Sequence, residues 1–270
     1  MLAVLTCSFL VSGHETAVAE NSEPQISKAD LKFGEKQLKR MLADRKAMRE
    51  LVAKGDDVWL WSAQQFAGNG GARRYKWKNK TSKKSGVQQF GAFHNYDLNK
   101  NSGWICVQKT RSDGLAAAPE QMWSGVIYEF FNSRNDTDFE ETWKLAAQGK
   151  LTKDEYLSRA TKLEYSALKE MNAFYETRWK QHAEKMGYPS WNAYWYKELP
   201  PTYEEWIDQY KKINPAYVSY HEKSYDIATS KLKPSPNTPS GTSLSGGTQT
   251  ASDEELTAIT PKGLTPKTAP

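Results

Sequence analysis

PEQMWSGVIYEFFNSRN, residues 119–135, decides how the rest of the chain is read. Pro119 suits a first helical position, where its missing N–H costs nothing, and Glu120 suits the electropositive start of a helix. At about 100° per residue, Met122, Trp123, Val126, Ile127, Phe130 and Phe131 fall on one broad arc. Gly125, Tyr128 and Asn132 share a narrower opposite arc, with Glu129 at its edge. The stretch is a helix with a wide apolar face and a polar strip carrying one carboxylate. Such a strip is either a solvated face or one wall of a cleft.

Upstream, the period changes from helical to alternating. In residues 73–79, RRYKWKN, Tyr75 and Trp77 point one way while Arg74, Lys76 and Lys78 point the other, as in a half-buried strand. Residues 90–96 and 103–109 read as two more strands, so a small antiparallel sheet is expected between Tyr75 and Lys109. Ser27-Lys-Ala-Asp30 opens a helix to about Ala53, and residues 57–66 form a second, ended by Gly68.

Downstream, Asn135-Asp-Thr-Asp138 caps a short helix over residues 139–148, and Thr152-Lys-Asp-Glu155 is a capping box for a long helix to about Lys185. Glu164 falls in the middle of that helix's apolar stripe, and a carboxylate there must be paired, protonated or bound to something. From Gly187 the chain turns aromatic, and Thr202-Tyr-Glu-Glu205 caps one more helix to about Lys212. This segment is either a strap over the helical core, the preferred reading, or an aromatic platform for glycans. The fold class expected is α+β: one mainly helical domain over residues 26–225 with a small antiparallel sheet.

The flanks read differently. Residues 2–13 are an apolar run of signal-peptide length, without a preceding Lys or Arg, and Ala17-Val18-Ala19 is an A-x-A cleavage site. Residues 1–19 are therefore expected to be a signal peptide and the protein to be secreted or periplasmic, without a transmembrane segment. Residues 229–270 are rich in Ser, Thr, Pro, Gly and Lys, have no aromatic, and are expected to be a disordered tail.

Composition narrows the chemistry. With 38% hydrophobic residues, only part of the chain can pack a core, and the ten Trp and fourteen Tyr supply much of the buried area. The net charge of +5 does not by itself imply nucleic acid. Seven basic residues stand among positions 73–84 with no acid. Arg73, Arg74, Tyr75, Lys76, Trp77 and Lys78 could thus contact a polyanion or a cell-envelope glycan, or simply guard an edge strand against pairing. No nucleic-acid module signature accompanies them. The histidines lack metal-ligand spacing, and there is no phosphate-cradling loop or nucleophile elbow, so neither metal nor cofactor is expected. Cys106, with His94 its nearest partner in sequence, reads as a buried thiol in an apolar strand.

The remaining candidates are Glu129 and Glu164, on two helices separated by one short helix. In a structural role, Glu129 would pair with an arginine such as Arg178 or Arg134, and Glu164 with Tyr128 or a tryptophan N–H. In a catalytic role, the two would share acid/base work in hydrolysis, at a spacing set by mechanism. The order of a small sheet, a helix with a central glutamate and a long helix with an inward glutamate resembles a zincin core. Tyr128-Glu129-Phe130-Phe131-Asn132 sits where H-E-x-x-H would sit, and Glu164 where a third metal ligand would. Residues 57–180 look like an uncharacterised family of secreted bacterial zincin-like proteins related to metallopeptidases. Their helix carries a Phe-Glu-Leu-x-Asn-like segment. Because Tyr128 and Asn132 replace both histidines, the resemblance implies a non-catalytic relative. Gly125, Tyr128 and Asn132 would line its cleft, and Glu129 and Glu164 would be its central carboxylates.

Overall fold

The computed structural model describes residues 26–68, 73–79, 91–97, 102–110, 114–190, 192–196, 198–213 and 215–230. The expected signal peptide and all of the expected tail beyond Ser230 lie outside them. The described part is mainly helical with one small sheet, as expected of an α+β domain.

Helix α1 (Lys28–Asp44) starts where the Ser27 hydroxyl accepts the Asp30 N–H. It was expected to run to about Ala53 but stops at Asp44. Arg45 leaves helical geometry (φ −118°, ψ 66°), which carries its guanidinium inward. There Nε and Nη2 donate to the Val107 carbonyl at 3.0 and 2.6 Å, and Nη1 donates to Asn79 Oδ1 at 2.8 Å. A buried arginine needs such partners, and reaching them ends the helix. The chain continues as a 3-10 turn, Lys46–Leu51, which buries Met48 and Leu51. Helix α2 (Asp57–Ala67) is capped by Asp56 and stopped by Gly68 at φ +84°.

Helices α1 and α2 touch backbone to backbone at Gly34. A Cβ there would stand 1.8 Å from the Ala63 carbonyl oxygen. Gly34→Ala should therefore cost about 1–3 kcal/mol through overpacking, although alanine is the better helix former. A urea melt checks this; a midpoint equal to or above wild type would show that the helices separate freely.

The sheet has strands β1 (Tyr75–Trp77), β2 (Ala92–Asp97) and β3 (Ser102–Val107) in the order β1-β3-β2. An all-antiparallel sheet was expected; β2 does pair antiparallel with β3, but β1 runs parallel to it. The reason lies in β3. Trp104, Ile105, Cys106 and Val107 are all buried, so both faces of this strand need cover and it takes the central place. Gly103 sets the register, with Tyr75 on one side and Tyr96 on the other. A Cβ at Gly103 would come within 2.5 Å of the Tyr75 ring and 2.7 Å of the Tyr96 ring.

Helix α3 (Pro119–Asn132) lies at the centre, against the sheet on one side and the long helix α5 (Lys153–Phe174) on the other. Its Gly125 seats Ala92 of β2, whose Cβ lies 3.2 Å from where a Cβ on Gly125 would be. After a 3-10 turn (Ser133–Asn135), α4 (Asp136–Ala147) begins three residues earlier than expected. Helix α5 (Lys153–Phe174) has the predicted capping box. It continues through a π turn, Tyr175–Trp179, into α6 (Lys180–Lys185).

The aromatic segment is a strap. A 3-10 turn (Asn192–Trp195), α7 (Tyr203–Ile213) and α8 (Pro215–Ser230) follow, with Trp195, Trp206 and Tyr210 buried. Trp195 packs on Phe174, Tyr175 and Trp179, and Trp206 on Tyr165 and Tyr210. Helix α8 carries ordered structure through Ser230, past the expected domain end at 225 and past the expected start of the tail at 229. Among the described residues, no helix is long and apolar enough to cross a membrane.

Candidate functional site

Two glutamates from adjacent helices, two histidines and several tyrosines meet in the interior. Glu129 faces inward from α3 and is buried, because β2 passes over the polar edge of that helix. His94, on β2, bridges it to α4: Nδ1 lies 2.5 Å from Glu129 Oε2 and Nε2 lies 2.8 Å from Asp136 Oδ1. Tyr75 donates its hydroxyl to the other Asp136 oxygen, and Arg73 Nη1 stands 3.8 Å from that oxygen. With a carboxylate at each ring nitrogen, His94 is an imidazolium donating twice. Burial alone would lower its pKa, but Asp136 and then Glu129 outweigh burial and bring it to about 10. Burial pushes the Glu129 carboxyl above its ordinary value, His94 pulls it back, and the charge of Glu164 adds to the rise.

Glu164 reaches the same interior from the centre of α5. Tyr128 donates to its Oε2 at 3.1 Å, and His221 Nε2, from α8, lies 3.2 Å from its Oε1. The expected pairing of Glu164 with Tyr128 is therefore present. Arg178 and Arg134 take other partners, Asp57 for the first and Glu170 with Gln65 for the second, and the place foreseen for an arginine beside Glu129 is taken by His94. Burial raises the pKa of the Tyr128, Tyr196 and Tyr220 hydroxyls, and the charges of Glu164 and Glu129 raise them further. These tyrosines stay neutral donors at any ordinary pH.

Two further features belong to this place. Tyr196 has φ +53°, a left-handed conformation that costs a bulky residue about 1–3 kcal/mol. Its carbonyl is held by Asn172 Nδ2 at 2.7 Å and by the Leu199 N–H at 3.0 Å. Asn132 lies one turn beyond Tyr128 on α3 and is only 7% exposed, and its Oδ1 has no hydrogen-bond partner among the described residues.

The structure brings together Glu129, Glu164 and Tyr128, and buries Asn132 one turn further along α3. Gly125 packs against Ala92 of β2 instead. The structure also changes the reading of the basic strand. Tyr75 and Trp77 are buried, so neither ring can stack on a base or a sugar. Arg73 bonds Thr137, Arg74 bonds Asp30, and the Lys78 ammonium lies 4.5 Å from the centre of the Trp104 ring. Lys76 is exposed. Cys106 pairs with Phe93 and His94 with Ile105, so Cys106 and His94 point to opposite faces and form no nucleophile–base pair.

His94, Asp136 and His221 were missed from the sequence. Asp136 stood in a run read as a helix cap. His221, Ser224, Tyr225 and Ala228 form an i, i+3, i+4, i+7 stripe, which is the one pattern that marks His221 as inward.

At the three positions where the zincin resemblance would place metal ligands, the donor set does not fit a catalytic zinc. Tyr128 there is a neutral donor to Glu164, Asn132 offers an amide, and only Glu164 is an anionic ligand. Among the described residues, no group of three His, Cys, Asp or Glu side chains has a metal-holding arrangement. No protein-family model matches the chain, and neither a curated protein nor a solved structure was found that is similar to it.

Proposed function

We propose that the chain is an exported, non-catalytic zincin-like protein whose Glu129–Glu164 cleft binds a ligand. The observation that carries this reading is the arrangement of Glu129. A zincin's glutamate must be free to take a proton from a metal-bound water; here the carboxylate is held by the His94 imidazolium, which also grips Asp136. The two flanking positions hold Tyr128 and Asn132. Support for the zincin-like part comes from the element order: small sheet, α3 with Glu129, then long α5 with Glu164. Support for binding comes from Asn132 Oδ1, a buried acceptor with no partner among the described residues. The A-x-A site before Glu20 supports export to the cell envelope.

The test combines elemental analysis with an assay. Protein purified without chelators should carry far less than one zinc per chain. Its action on casein and on peptidoglycan should equal that of a Glu129→Gln variant, with or without added zinc. One zinc per chain together with cleavage lost in Glu129→Gln would overturn the proposal.

A further inference from the structure

The outer face of α1 carries a concentration of charge that the fold leaves unanswered. At about 100° per residue, Lys28, Lys32, Lys36, Lys39 and Arg40 fall within one arc of about 120°, along about 18 Å of helix. All five are exposed. Among the described residues, Lys28, Lys32, Lys36 and Arg40 have no ion-pair partner, and Lys39 has only Glu35, 3.7 Å away at the margin of the arc. The other acids of α1 are engaged elsewhere: Asp30 accepts from Ser27 and Arg74, and Asp44 accepts from Trp77 Nε1 at 2.6 Å. Arg49 Nε donates to the Leu42 carbonyl at 2.9 Å, which sets one more cation at the C-terminal end of the helix. The opposite face of α1 is fixed, with Leu38, Met41 and Leu42 buried and Gly34 seated on α2. The backbone that carries the charges is therefore held in place.

The chemistry of this face selects its partner. Within the arc, only Ala29 and Ala43 stand between the cations, and Phe33, the one aromatic of α1, lies under the Arg74 guanidinium, 5.6 Å from its ring centre. The face thus offers no ring for a nucleobase or a sugar to stack on, and no apolar side chain large enough to enter hydrocarbon. Four of the five cations are lysines, compact point charges on flexible stems, whereas recognition of single phosphates or bases favours the bidentate fork of arginine. The charges line the outer side of a helix, where a plane can meet them together. Negative charge spread over a plane is the surface of an anionic phospholipid bilayer, at which each nearby Lys or Arg strengthens binding about fivefold. We propose that the Lys28–Arg40 face of α1 docks the protein on an anionic membrane, lying along the headgroups without entering the hydrocarbon. The proposal is independent of the Glu129–Glu164 cleft, which lies inside the molecule on other helices.

The experiment is co-sedimentation of the full chain with vesicles of phosphatidylcholine, alone or mixed with phosphatidylglycerol. The protein should prefer the mixed vesicles, and the preference should vanish at about 1 M salt, where the Debye length falls to about 3 Å. Combining Lys28→Gln, Lys32→Gln, Lys36→Gln and Arg40→Gln should weaken binding to the mixed vesicles about fiftyfold or more. Combining Lys150→Gln, Lys180→Gln, Lys185→Gln and Lys211→Gln removes the same charge from exposed positions elsewhere and should weaken it no more than about threefold. Both variants should melt as wild type does, since every replaced side chain is exposed. Should the α1 variant fail to fold, Lys28→Glu with Lys32→Glu replaces it and should weaken binding by a similar factor. Equal losses in the α1 variant and its control would overturn the face, leaving net charge as the cause. No preference for phosphatidylglycerol would overturn the proposal outright. Binding to duplex DNA tighter than to the mixed vesicles at the same salt, lost in the α1 variant alone, would overturn the membrane as the partner of this face.

Discussion

Replacing His94 with leucine should destabilise the protein by about 3–5 kcal/mol, the usual consequence of removing one partner from a buried ionic group. Glu129 and Asp136 would then face each other's charge with no imidazolium between them. The pKa shift gives the same order: from 6.5 to about 10 corresponds to about 4–5 kcal/mol of preferential proton binding by the folded state. The sign follows from the direction. His94 holds its proton more tightly in the folded protein, so its contribution is complete below about pH 6.5 and is lost as pH rises through about 10. Across that window, stability should fall by about 1.4 kcal/mol per pH unit. The raised pKa of Glu129 acts in the same direction from a lower starting pH. Above about pH 10 the buried tyrosines add to the loss, since only their unfolded forms ionise. Urea denaturation at several pH values between 6.5 and 10 measures the slope. His94→Gln should fold more stably than His94→Leu and lose the part of the slope that belongs to His94. A wild-type profile that is already flat would mean His94 carries no extra proton.

Glu120→Ala should be about as damaging, at roughly 3–5 kcal/mol. Glu120 is only 1% exposed, in the first turn of α3, and its Oε1 accepts from Trp179 Nε1 at 2.8 Å, Trp195 Nε1 at 2.8 Å and Ser190 Oγ at 2.7 Å. Trp179 and Trp195 are both fully buried, so truncation strands two indole N–H groups away from water. Each stranded donor costs about 1–3 kcal/mol. The helix start adds a smaller favourable contribution to a charge at this position. Glu120→Gln keeps an acceptor oxygen and should recover at least half of the loss. Tryptophan emission should shift red in Glu120→Ala, and limited proteolysis should cut between Gly187 and Trp195 sooner than in wild type. An unchanged cleavage rate would mean that packing alone holds the strap.

The two sites show where the sequence was readable. Glu164 could be found because it interrupts an apolar stripe, and a carboxylate in such a place has to be answered from inside. Its partner Tyr128 was also visible, one position from Glu129 on a helix whose phase was clear. Capping residues set helix starts at Ser27 and Thr152, and Gly68 set an end, because local geometry decides them. The partner of Glu129 was not readable, since it depends on which strand crosses α3 and in what register. Glu120 looked like a residue for a helix dipole, and only the fold of a strap about 70 residues away makes it an acceptor for two tryptophans. Nothing local marks Arg45 as inward, since the Val107 carbonyl that draws it in is 62 residues distant. The basic strand misled for the same reason. Its alternation was right, but the buried side of a short edge strand took the aromatic rings out of reach of any partner.

The order β1-β3-β2 also bears on how the chain assembles. The strands made first do not touch each other; both wait for β3, the last to be synthesised. No local hairpin can seed β1, whose pairing joins Tyr75 to Gly103, 28 positions later in the chain. Such closure is entropically slow compared with helix formation. A nascent chain that ends before Gly103 therefore has no strand for Tyr75–Trp77 to pair with. A single glycine-bearing strand, once made, pairs with both neighbours.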